Sequence, residues 1–218
     1  LQEGLAVVAK TQSKGYGRHG RSWEPSDGNL YFSFVIKPEC DVRFLGHVSI
    51  ITSVALYETL SSYVDPPEIK LKWPNDVLLN GKKCSGILID IEDVQDSIIK
   101  DVVIGIGVNV ASSPLDISTC LKSFSNDDLS CEDILEEFLR KFADIYNDWK
   151  SQGIERSYNK YCDYHLSNKE VTSVKIGSKI ISGRCEGIDT YGNLRLIDER
   201  DNTVRVITSG EVILAQQV

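Results

Sequence analysis

The chain has 218 residues, of which 41% are hydrophobic and 26% are charged, so it is long and apolar enough to bury a folded core. Its 24 lysine and arginine residues face 32 aspartate and glutamate residues, which gives a formal net charge of −8. An acidic surface repels nucleic-acid backbones, and no apolar run approaches the roughly 20 residues that a membrane-spanning helix needs. We therefore expect neither a DNA-binding protein nor a membrane protein.

Six cysteines are spread widely and never fall in a Cys-x-x-Cys spacing; they are Cys40, Cys84, Cys120, Cys131, Cys162 and Cys185. This pattern is typical neither of a zinc site nor of a disulfide framework, and it predicts reduced thiols in a cytoplasmic protein. The sequence contains no methionine, not even at position 1. We therefore expect it to be a processed, truncated or partly ordered form of a longer chain.

The first half of the chain reads mainly as β-strands with one long helix. Short apolar runs predict strands at residues 5–9, 30–36, 69–73 and 102–110, and the first of these is expected to be buried. Apolar residues at helical spacing predict a mostly buried helix over residues 47–64.

The clearest short-range signal is Asn80-Gly81, which lies between two β-prone runs. A type I′ turn needs positive φ at both central positions, a conformation that asparagine and glycine adopt readily. Residues 77–80 and 83–90 are therefore expected to form a β-hairpin.

The second half begins with helices and ends with short strands. Ser130 and the acidic residues after it resemble a helix-capping sequence, and apolar residues at three-to-four spacing continue the helix to Trp149. A second helix is expected over residues 154–164. Short β runs separated by tight turns predict a small barrel; they cover residues 171–176, 179–188, 194–197 and 204–207. Strands and helices that do not alternate strictly indicate the α+β class.

A segment rich in glycine and arginine occupies residues 12–23, Gln-Ser-Lys-Gly-Tyr-Gly-Arg-His-Gly-Arg-Ser-Trp. Its glycines let backbone N–H groups approach an anion, and the guanidinium groups of Arg18 and Arg21 suit phosphate or carboxylate. Trp23 offers a flat face on which a base could stack. No helix follows the glycine pattern, which argues against a dinucleotide-binding fold. An anion-binding loop and an ordinary surface loop both remain open.

A second polar cluster, Lys-Trp-Pro-Asn-Asp at residues 72–76, interrupts an apolar stretch. Asn75 and Asp76 are either turn formers or ligands for a cation or a polar substrate. Lys83 opens a strand of isoleucine and leucine, where its side chain either reaches solvent or points into a site. Gly86 in the same strand indicates the close approach of another group, because glycine otherwise weakens a strand.

A third cluster places Gly105 and Gly107 inside a predicted strand that ends near Asn109. Glycines there indicate a bulge or a neighbour pressed against the backbone. Asn109 could read a base edge through its amide, or it could equally satisfy a local turn. His47 and His165 show no partner pattern and are expected to be surface or packing residues.

Together these segments resemble the biotin protein ligase family over most of the chain. The resemblance rests on Gly-Arg-Ser-Trp in the first segment, on Lys-Trp-Pro-Asn-Asp with Asn-Gly-Lys-Lys-Cys-Ser-Gly downstream, and on Ile-Gly-Ile-Gly-Val-Asn-Val at residues 104–110. The tail at residues 183–197 resembles the small SH3-like barrel of the family. The resemblance implies a mixed β-sheet catalytic domain of the biotin/lipoate ligase type over residues 1–168 and the SH3-like barrel over residues 169–218.

The resemblance also implies a two-step reaction. Biotin and MgATP would give biotinyl-5′-AMP and pyrophosphate, and a lysine of the biotin carboxyl carrier protein of acetyl-CoA carboxylase, or of a related carboxylase, would then displace AMP. Two anions must meet in the first step, so the site needs cations where charge builds up. The family contains monomers and sheet-edge dimers, which leaves a homodimer open.

In this resemblance the catalytic residues are Lys83, Arg18 and Asp76. Lys83 would bridge the biotin carboxylate and the α-phosphate, and Arg18 and Arg21 would hold phosphates. Asp76, with Asn75, would orient either Mg²⁺-bound phosphate or the incoming lysine amine. No metal site made of protein groups alone is expected, because Mg²⁺ would arrive with ATP.

The remaining roles divide between the two reactants. The residues matched to biotin binding are Gln12, Gly15, Tyr16, Gly17, Arg18, Lys83 and Gly86. The residues matched to nucleotide binding are Arg18, Arg21, Trp23, Asn75 and Asn109. Within these sets, Gly86 would leave room for the rings of biotin, Trp23 would cover the adenine, and Asn109 would hydrogen-bond it. The glycine- and arginine-rich segment would order over the intermediate and shield it from water.

The sequence departs from the family pattern in two places. Tyr16 stands where the family usually has arginine, so one cation of the segment is missing. The Ser/Thr-Thr-Asn segment that touches biotin in the family does not precede Leu1, so part of the biotin pocket is expected to be absent. An N-terminal helix-turn-helix domain has no room either, and a short form without a repressor role is expected.

Two other functions remain open. Lipoate–protein ligases share the catalytic fold and the adenylation chemistry, so the acyl substrate is the main alternative. A carrier-binding module that has lost catalysis is the other alternative, and replacement of Lys83 or Arg18 would favour it; both residues are present.

Overall fold

The structure is a computed structural model that describes residues 1–24, 26–65, 68–125, 128–165 and 171–213. The strands are β1 (Ala6–Ala9), β2 (Leu30–Ile36), β3 (Cys40–Asp41), β4 (Ile69–Lys72), β5 (Asp76–Leu79), β6 (Lys82–Gln95), β7 (Ile98–Val108), β8 (Val171–Ile176), β9 (Lys179–Ile188), β10 (Leu194–Asp198), β11 (Val204–Ile207) and β12 (Glu211–Ile213). The α-helices are α1 (Leu45–Leu60), α2 (Cys131–Gln152) and α3 (Glu155–Tyr164).

The first sheet has seven strands in the order β1-β2-β7-β6-β5-β4, with β3 pairing to β7. The ladders between these strands are antiparallel, and single parallel bridges join Leu71 to His165 and Lys83 to Ser118. Helix α1 packs against α2, α3 and the strands β4, β5 and β6, so helices cover one face of the sheet. The α+β class with a mixed sheet is confirmed.

The two long helices follow from different sequence patterns. Helix α1 is apolar nearly all round and is buried accordingly. It ends at Leu60, four residues before the predicted end, because the next residues form tighter turns. Helix α2 begins as predicted, with the Ser130 hydroxyl accepting a hydrogen bond from the Asp133 N–H at 3.2 Å. Such a cap contributes about 1 kcal/mol. The buried residues of α2 include Phe138 and Phe142, whose rings meet those of β2 edge to face.

The predicted hairpin is confirmed, with φ of 48° at Asn80 and 77° at Gly81. Strand β6 continues beyond its predicted end to Gln95 and turns into β7 through Asp96 and Ser97, which also have positive φ. No glycine marks this second turn in the sequence, so both strands were predicted too short. The long antiparallel pair of β6 and β7 forms the floor of the site described below.

The prediction that the first strand is buried was wrong. Strand β1 forms, but Val7 is 62% exposed and Val8 is 54% exposed. The strand lies at the edge of the sheet and pairs only with β2 among the described residues. An apolar run specifies a strand, but its burial depends on what lies beside it in the sheet.

The second sheet has five short strands in the order β11-β10-β9-β8-β12. Four of them match the predicted runs, and β12 was not predicted. Strand β11 pairs with β10 and β12 pairs with β8, so within the described part of the chain no ladder joins these two edges to close a barrel. The predicted domain boundary between residues 168 and 169 lies outside the described residues.

A turn of the second sheet, residues 189–193, packs against the first sheet and its helices. Trp73 Nε1 donates to the Gly192 carbonyl oxygen at 2.9 Å. A Cβ atom on Gly46 would lie 2.0 Å from the Tyr191 carbonyl oxygen, so this contact requires glycine at position 46. The contact brings the second sheet beside the Lys-Trp-Pro-Asn-Asp segment.

The described residues also bear on the cysteine and membrane expectations. All six cysteines are free in the structure. None of the helices in the described ranges combines the length and the apolar character needed to cross a membrane.

His47 is a buried packing residue between α2 and this turn. Its Nε2 lies 2.8 Å from the Thr190 carbonyl oxygen, and its Nδ1 accepts a hydrogen bond from Trp149 Nε1 at 3.1 Å. Both contacts fit the neutral imidazole with its proton on Nε2. Burial lowers the pKa of His47 below its ordinary value of 6.5. His165 is also buried, at the end of α3.

The lowered pKa of His47 predicts a loss of stability in acid. As the pH falls through about 6.5, the unfolded chain binds a proton at this position more readily than the folded chain does, so folding becomes less favourable. We expect the wild-type Tm to fall more between about pH 7.5 and about pH 5.5 than that of His47→Gln, measured by thermal unfolding. Equal losses in the two proteins would contradict this role.

Candidate active site

A cavity of about 390 Å³ opens between the segment of residues 12–24, the floor strands β6 and β7, and the start of β12. Every residue that the sequence predicted for the site lines this cavity: Gln12, Gly15, Tyr16, Gly17, Arg18, Arg21, Trp23, Asn75, Asp76, Lys83, Gly86 and Asn109. Residues from four separate stretches of the chain thus meet at one place. His47 and His165 are not among the residues that line it.

The glycine- and arginine-rich segment folds back on itself at the mouth of the cavity. Gly17 N–H donates to the Arg21 carbonyl oxygen at 2.8 Å, and Trp23 N–H donates to the Gly15 carbonyl oxygen at 2.9 Å. A Cβ atom on Gly15 would lie 2.7 Å from the Trp23 carbonyl oxygen, so no larger residue fits there. The fold directs Arg18 and Arg21 toward the second sheet.

Trp23 lies flat on a floor made by two glycines of neighbouring strands. A Cβ atom added to Gly86 would lie 3.1 Å from the Trp23 ring, and a Cβ atom added to Gly107 would lie 2.8 Å from it. The close approach that the strand glycines predicted is therefore the approach of Trp23. Its buried indole N–H has no hydrogen-bond partner among the described residues. The ring occupies space that the resemblance assigned to biotin.

Lys83 lies beside Trp23 at the end of the hairpin. Its Nζ is 5.2 Å from the centroid of the indole ring and 2.6 Å from Asp76 Oδ1. The hairpin turn starts β6 at Lys82, and the register places Asp76 opposite Gly86, so Lys83 reaches across to Asp76. Lys83 therefore points into the site and not to open solvent.

Asp76 faces a second lysine. Lys72 lies opposite Asp76 in the β4–β5 ladder, and its Nζ is 3.9 Å from Asp76 Oδ2. Burial lowers the pKa of Lys72, and the charge of Asp76 opposes that effect. Both carboxylate oxygens of Asp76 thus have an ammonium group nearby.

The second sheet contributes two residues to the cavity wall, Gly210 and Glu211. Arg21 makes a two-pronged contact with the Glu211 carboxylate, and Arg18 Nη1 donates to the Gly210 carbonyl oxygen at 3.2 Å. The hydrogen bond from Arg21 lowers the pKa of Glu211, while burial lowers the pKa of Arg18. Neither contact was predicted, because these partners lie about 190 positions apart in sequence.

The side-chain amides of Asn75 and Asn109 donate hydrogen bonds to backbone carbonyl oxygens in this structure. Asn75 Nδ2 donates to the Ile87 carbonyl oxygen at 2.7 Å, and Asn109 Nδ2 donates to the Thr119 carbonyl oxygen at 3.0 Å. Both side chains line the cavity while making these bonds. Their local structural use, left open by the sequence, is thus observed, and nucleotide binding by either residue stays a prediction.

Several lining residues escaped the sequence analysis. The segment at residues 114–118 borders the cavity with two exposed apolar side chains, Leu115 and Ile117. It is held there by the Thr119 N–H, which donates to the Lys83 carbonyl oxygen at 2.9 Å. Exposed apolar side chains at a cavity rim offer a surface to a flat or apolar ligand. A sequence without strand or helix periodicity gives no sign of this placement.

The described residues do not contain any group of three or more histidine, cysteine, aspartate or glutamate side chains that could hold a metal ion. The charged groups of the cavity include Lys72 and Lys83 beside Asp76, and Arg21 beside Glu211. Such a site suits anionic ligands.

Two family models match the chain. Residues 1–109 match the model of the biotin/lipoate A/B protein ligase family, and residues 166–215 match the biotin protein ligase C terminal domain. The chain belongs to the biotin/lipoate A/B protein ligase family. The motifs that carried the resemblance to this family line one cavity.

Relatives within this family share moderate identity with the chain. The biotin–[acetyl-CoA-carboxylase] ligase of Paracoccus denitrificans is 30% identical over 201 residues, which cover 87% of this chain and 82% of the relative. The bifunctional ligase/repressor BirA of Bacillus subtilis is 28% identical over 220 residues, or 97% of this chain. The chain spans 66% of the length of that relative, just under two thirds.

Solved structures of the family share the fold. The biotin protein ligase from Aquifex aeolicus in complex with biotin and ATP superposes with a TM-score of 0.80 at 27% identity. The match covers 98% of this chain and 89% of that one.

The contact between Trp23 and its floor predicts the effect of a single methyl group. Gly107→Ala places a Cβ 2.8 Å from the indole and must displace the ring, whereas the Cβ of Gly105→Ala meets Ser33 Oγ at an ordinary 3.5 Å. We expect Gly107→Ala to shift tryptophan emission to longer wavelength as the ring enters water, and Gly105→Ala to leave the spectrum unchanged.

The same glycine substitution in a Trp23→Phe variant shows whether the emission shift comes from Trp23 and not from the other two tryptophans. In that variant Gly107→Ala should no longer shift the spectrum, because Trp73 and Trp149 remain where they are. A Gly107→Ala spectrum identical to wild type would show that Trp23 does not rest on this floor.

Proposed function

We propose that the chain is an ATP-dependent biotin protein ligase that forms biotinyl-5′-AMP and then transfers biotin to a lysine of a biotin carboxyl carrier protein. The observation that carries this proposal is the convergence of Lys83, Arg18 and Arg21 on one cavity in a chain of this family. The names of its relatives support biotin as the acyl substrate and the carrier of acetyl-CoA carboxylase as the acceptor.

The first step joins two anions. A carboxylate oxygen of biotin attacks the α-phosphorus of ATP, the bond to the β-phosphate oxygen breaks, and pyrophosphate leaves. Lys83 lies at the floor of the cavity, where its ammonium group can meet both the carboxylate and the α-phosphate. Preorganised positive charge at this point lowers the barrier, because negative charge accumulates between the reactants.

The arginines hold the nucleotide in this proposal. Arg21 would leave Glu211 for the phosphates, and half-buried Arg18 would retain the adenylate after pyrophosphate departs. Trp23 would rise from its glycine floor and cover the adenine, which opens the space over Gly86 to the rings of biotin. Asn109 would contact the adenine from the end of β7.

In this proposal Mg²⁺ binds to the cavity as part of the MgATP complex. Asp76 is the carboxylate nearest to Lys83, but both of its oxygens face lysine ammonium groups, so the residues present do not form a prepared metal site. Bound Mg²⁺ would supply charge neutralisation on the phosphates. The protein groups themselves supply orientation and the charge of Lys83.

The second step transfers the acyl group. The amine nitrogen of the carrier lysine attacks the acyl carbon of biotinyl-5′-AMP, the bond to the phosphate oxygen breaks, and AMP leaves while the nitrogen loses a proton. The cavity mouth lies beside Tyr16, which is 64% exposed, so a lysine on another protein can reach it. The free thiols support a reducing compartment, the cytoplasm, for this reaction.

Substrate-dependent pyrophosphate exchange tests this proposal. The chain is incubated with ATP, Mg²⁺ and labelled pyrophosphate, with biotin in one sample and lipoate in another. We expect exchange into ATP with biotin only, because only a bound carboxylate that attacks the α-phosphorus makes the step reversible. Exchange with lipoate alone would identify a lipoate ligase, and no exchange with either would favour a carrier-binding module without catalysis.

Adjacent lysines provide the matched variants. Lys83→Ala should lower exchange by about 100-fold or more, because it removes a charge aimed at the reacting atoms. Lys82→Ala should leave exchange unchanged, because the Lys82 side chain bonds to the Asp116 carbonyl oxygen outside the cavity wall. Both variants should keep the wild-type Tm within a few degrees, and a fully active Lys83→Ala would contradict the assigned role.

A further inference from the structure

Lys72 is a buried lysine for which the proposed reaction so far has no use. Its side chain is 7% exposed, although it lies at the end of β4 beside an open cavity. Lysine is almost never buried unless a partner compensates its charge. The nearest carboxylate is Asp76, at 3.9 Å, and the other charged groups that act on Lys72 are Glu211, Lys83 and Arg21.

The charges around the cavity floor do not balance in pairs. Arg21 has its own carboxylate in Glu211. Lys83 and Lys72 share the single carboxylate of Asp76, one at each oxygen. The group of Lys72, Asp76 and Lys83 therefore carries one net positive charge.

The position of Lys72 beside Asp76 matters for the proposed first step, in which Lys83 must leave the Asp76 carboxylate. To meet the biotin carboxylate and the α-phosphate, Lys83 must give up its 2.6 Å contact with Asp76. The Asp76 side chain is only 15% exposed, so water compensates its charge poorly when Lys83 leaves. A second cation already beside the other oxygen removes most of that penalty.

Resting on the proposed function, we propose that Lys72 is a positioning residue that keeps Asp76 paired and so frees Lys83 for the anionic reactants. In the structure Asp76 is closest to Lys83. When reactants bind, Lys83 turns to them and Asp76 is held by Lys72. Lys72 acts through Asp76 and needs no contact with either reactant.

A stability cycle tests the sharing without any substrate. Lys83→Met mimics the departure of Lys83, and Lys72 should compensate for it, so this variant should lose no more than about 2 °C in Tm. Lys72→Met should also lose little, because Asp76 keeps Lys83. The double variant removes both ammonium groups that lie within 4 Å of the carboxylate and leaves only the charges of Arg18 and Arg21 to act on it. Its Tm should fall by about 5 °C beyond the sum of the single losses.

Two further variants show that the coupling runs through Asp76. Adding Asp76→Asn to the double variant should restore most of the extra loss, because no charge is left to compensate. Lys72→Arg combined with Lys83→Met should behave like Lys83→Met alone. Additive losses in the double variant, or no recovery with Asp76→Asn, would overturn the proposal.

The kinetic readout separates this role from a merely structural one. Lys72→Met should lower kcat for biotin-dependent pyrophosphate exchange about tenfold with little change in the KM for biotin, because Lys83 is needed most where charge accumulates. Lys72→Arg should recover most of the rate. Lys70→Met, on the same strand but outside the cavity wall, should match wild type.

The two claims can fail separately. A wild-type chain that shows no exchange with biotin would refute the proposed function, while the stability cycle would still decide whether Lys72 and Lys83 share Asp76. An unchanged kcat in Lys72→Met, with exchange intact in wild type, would refute the positioning role alone.

Discussion

The pairing of Asp76 with two lysines is the interaction on which this account of the site depends. One carboxylate with an ammonium group at each oxygen leaves a surplus positive charge at the cavity floor, in a protein whose formal net charge is −8. The acidic surface discourages non-specific binding of polyanions, while the local surplus attracts small anions that enter the cavity. Positive charge is thus concentrated where the two negatively charged reactants of the proposed first step would meet.

The second sheet is part of this arrangement. Its turn at residues 189–193 receives hydrogen bonds from Trp73 and His47, and its last strand holds Arg21 through Glu211. Trp73 is adjacent to the Pro-Asn-Asp corner, so the same contact that docks the second sheet also fixes the approach to Asp76. The two sheets therefore build one site, although each has its own buried residues.

Local chemistry made much of the fold predictable. The Asn80-Gly81 turn and the Ser130 cap depend on backbone preferences of a few residues, and both form as expected. The burial of β1 and the second turn at Asp96 and Ser97 were not predictable in this way. Burial depends on neighbours in the sheet, and a positive φ at residues other than glycine leaves little trace in the sequence.

The candidate site was predicted through its motifs and not through its geometry. Every site residue that the resemblance named lines the cavity. These residues could be named because they stand in recognisable sequence motifs. The resemblance did not reveal that Trp23 covers Gly86 and Gly107, that Lys72 shares Asp76, or that Glu211 reaches Arg21. Each of these contacts depends on how distant segments pack, which no single stretch of sequence encodes.

The structure of the chain with biotin and a non-hydrolysable ATP analogue bound is the most direct test of this account. We expect Lys83 Nζ to lie within about 3 Å of both the biotin carboxylate and the α-phosphate, with Asp76 held by Lys72 and the Trp23 ring raised from Gly86 and Gly107. Ligands bound outside this cavity, or Lys83 still paired with Asp76 when both ligands are present, would contradict it.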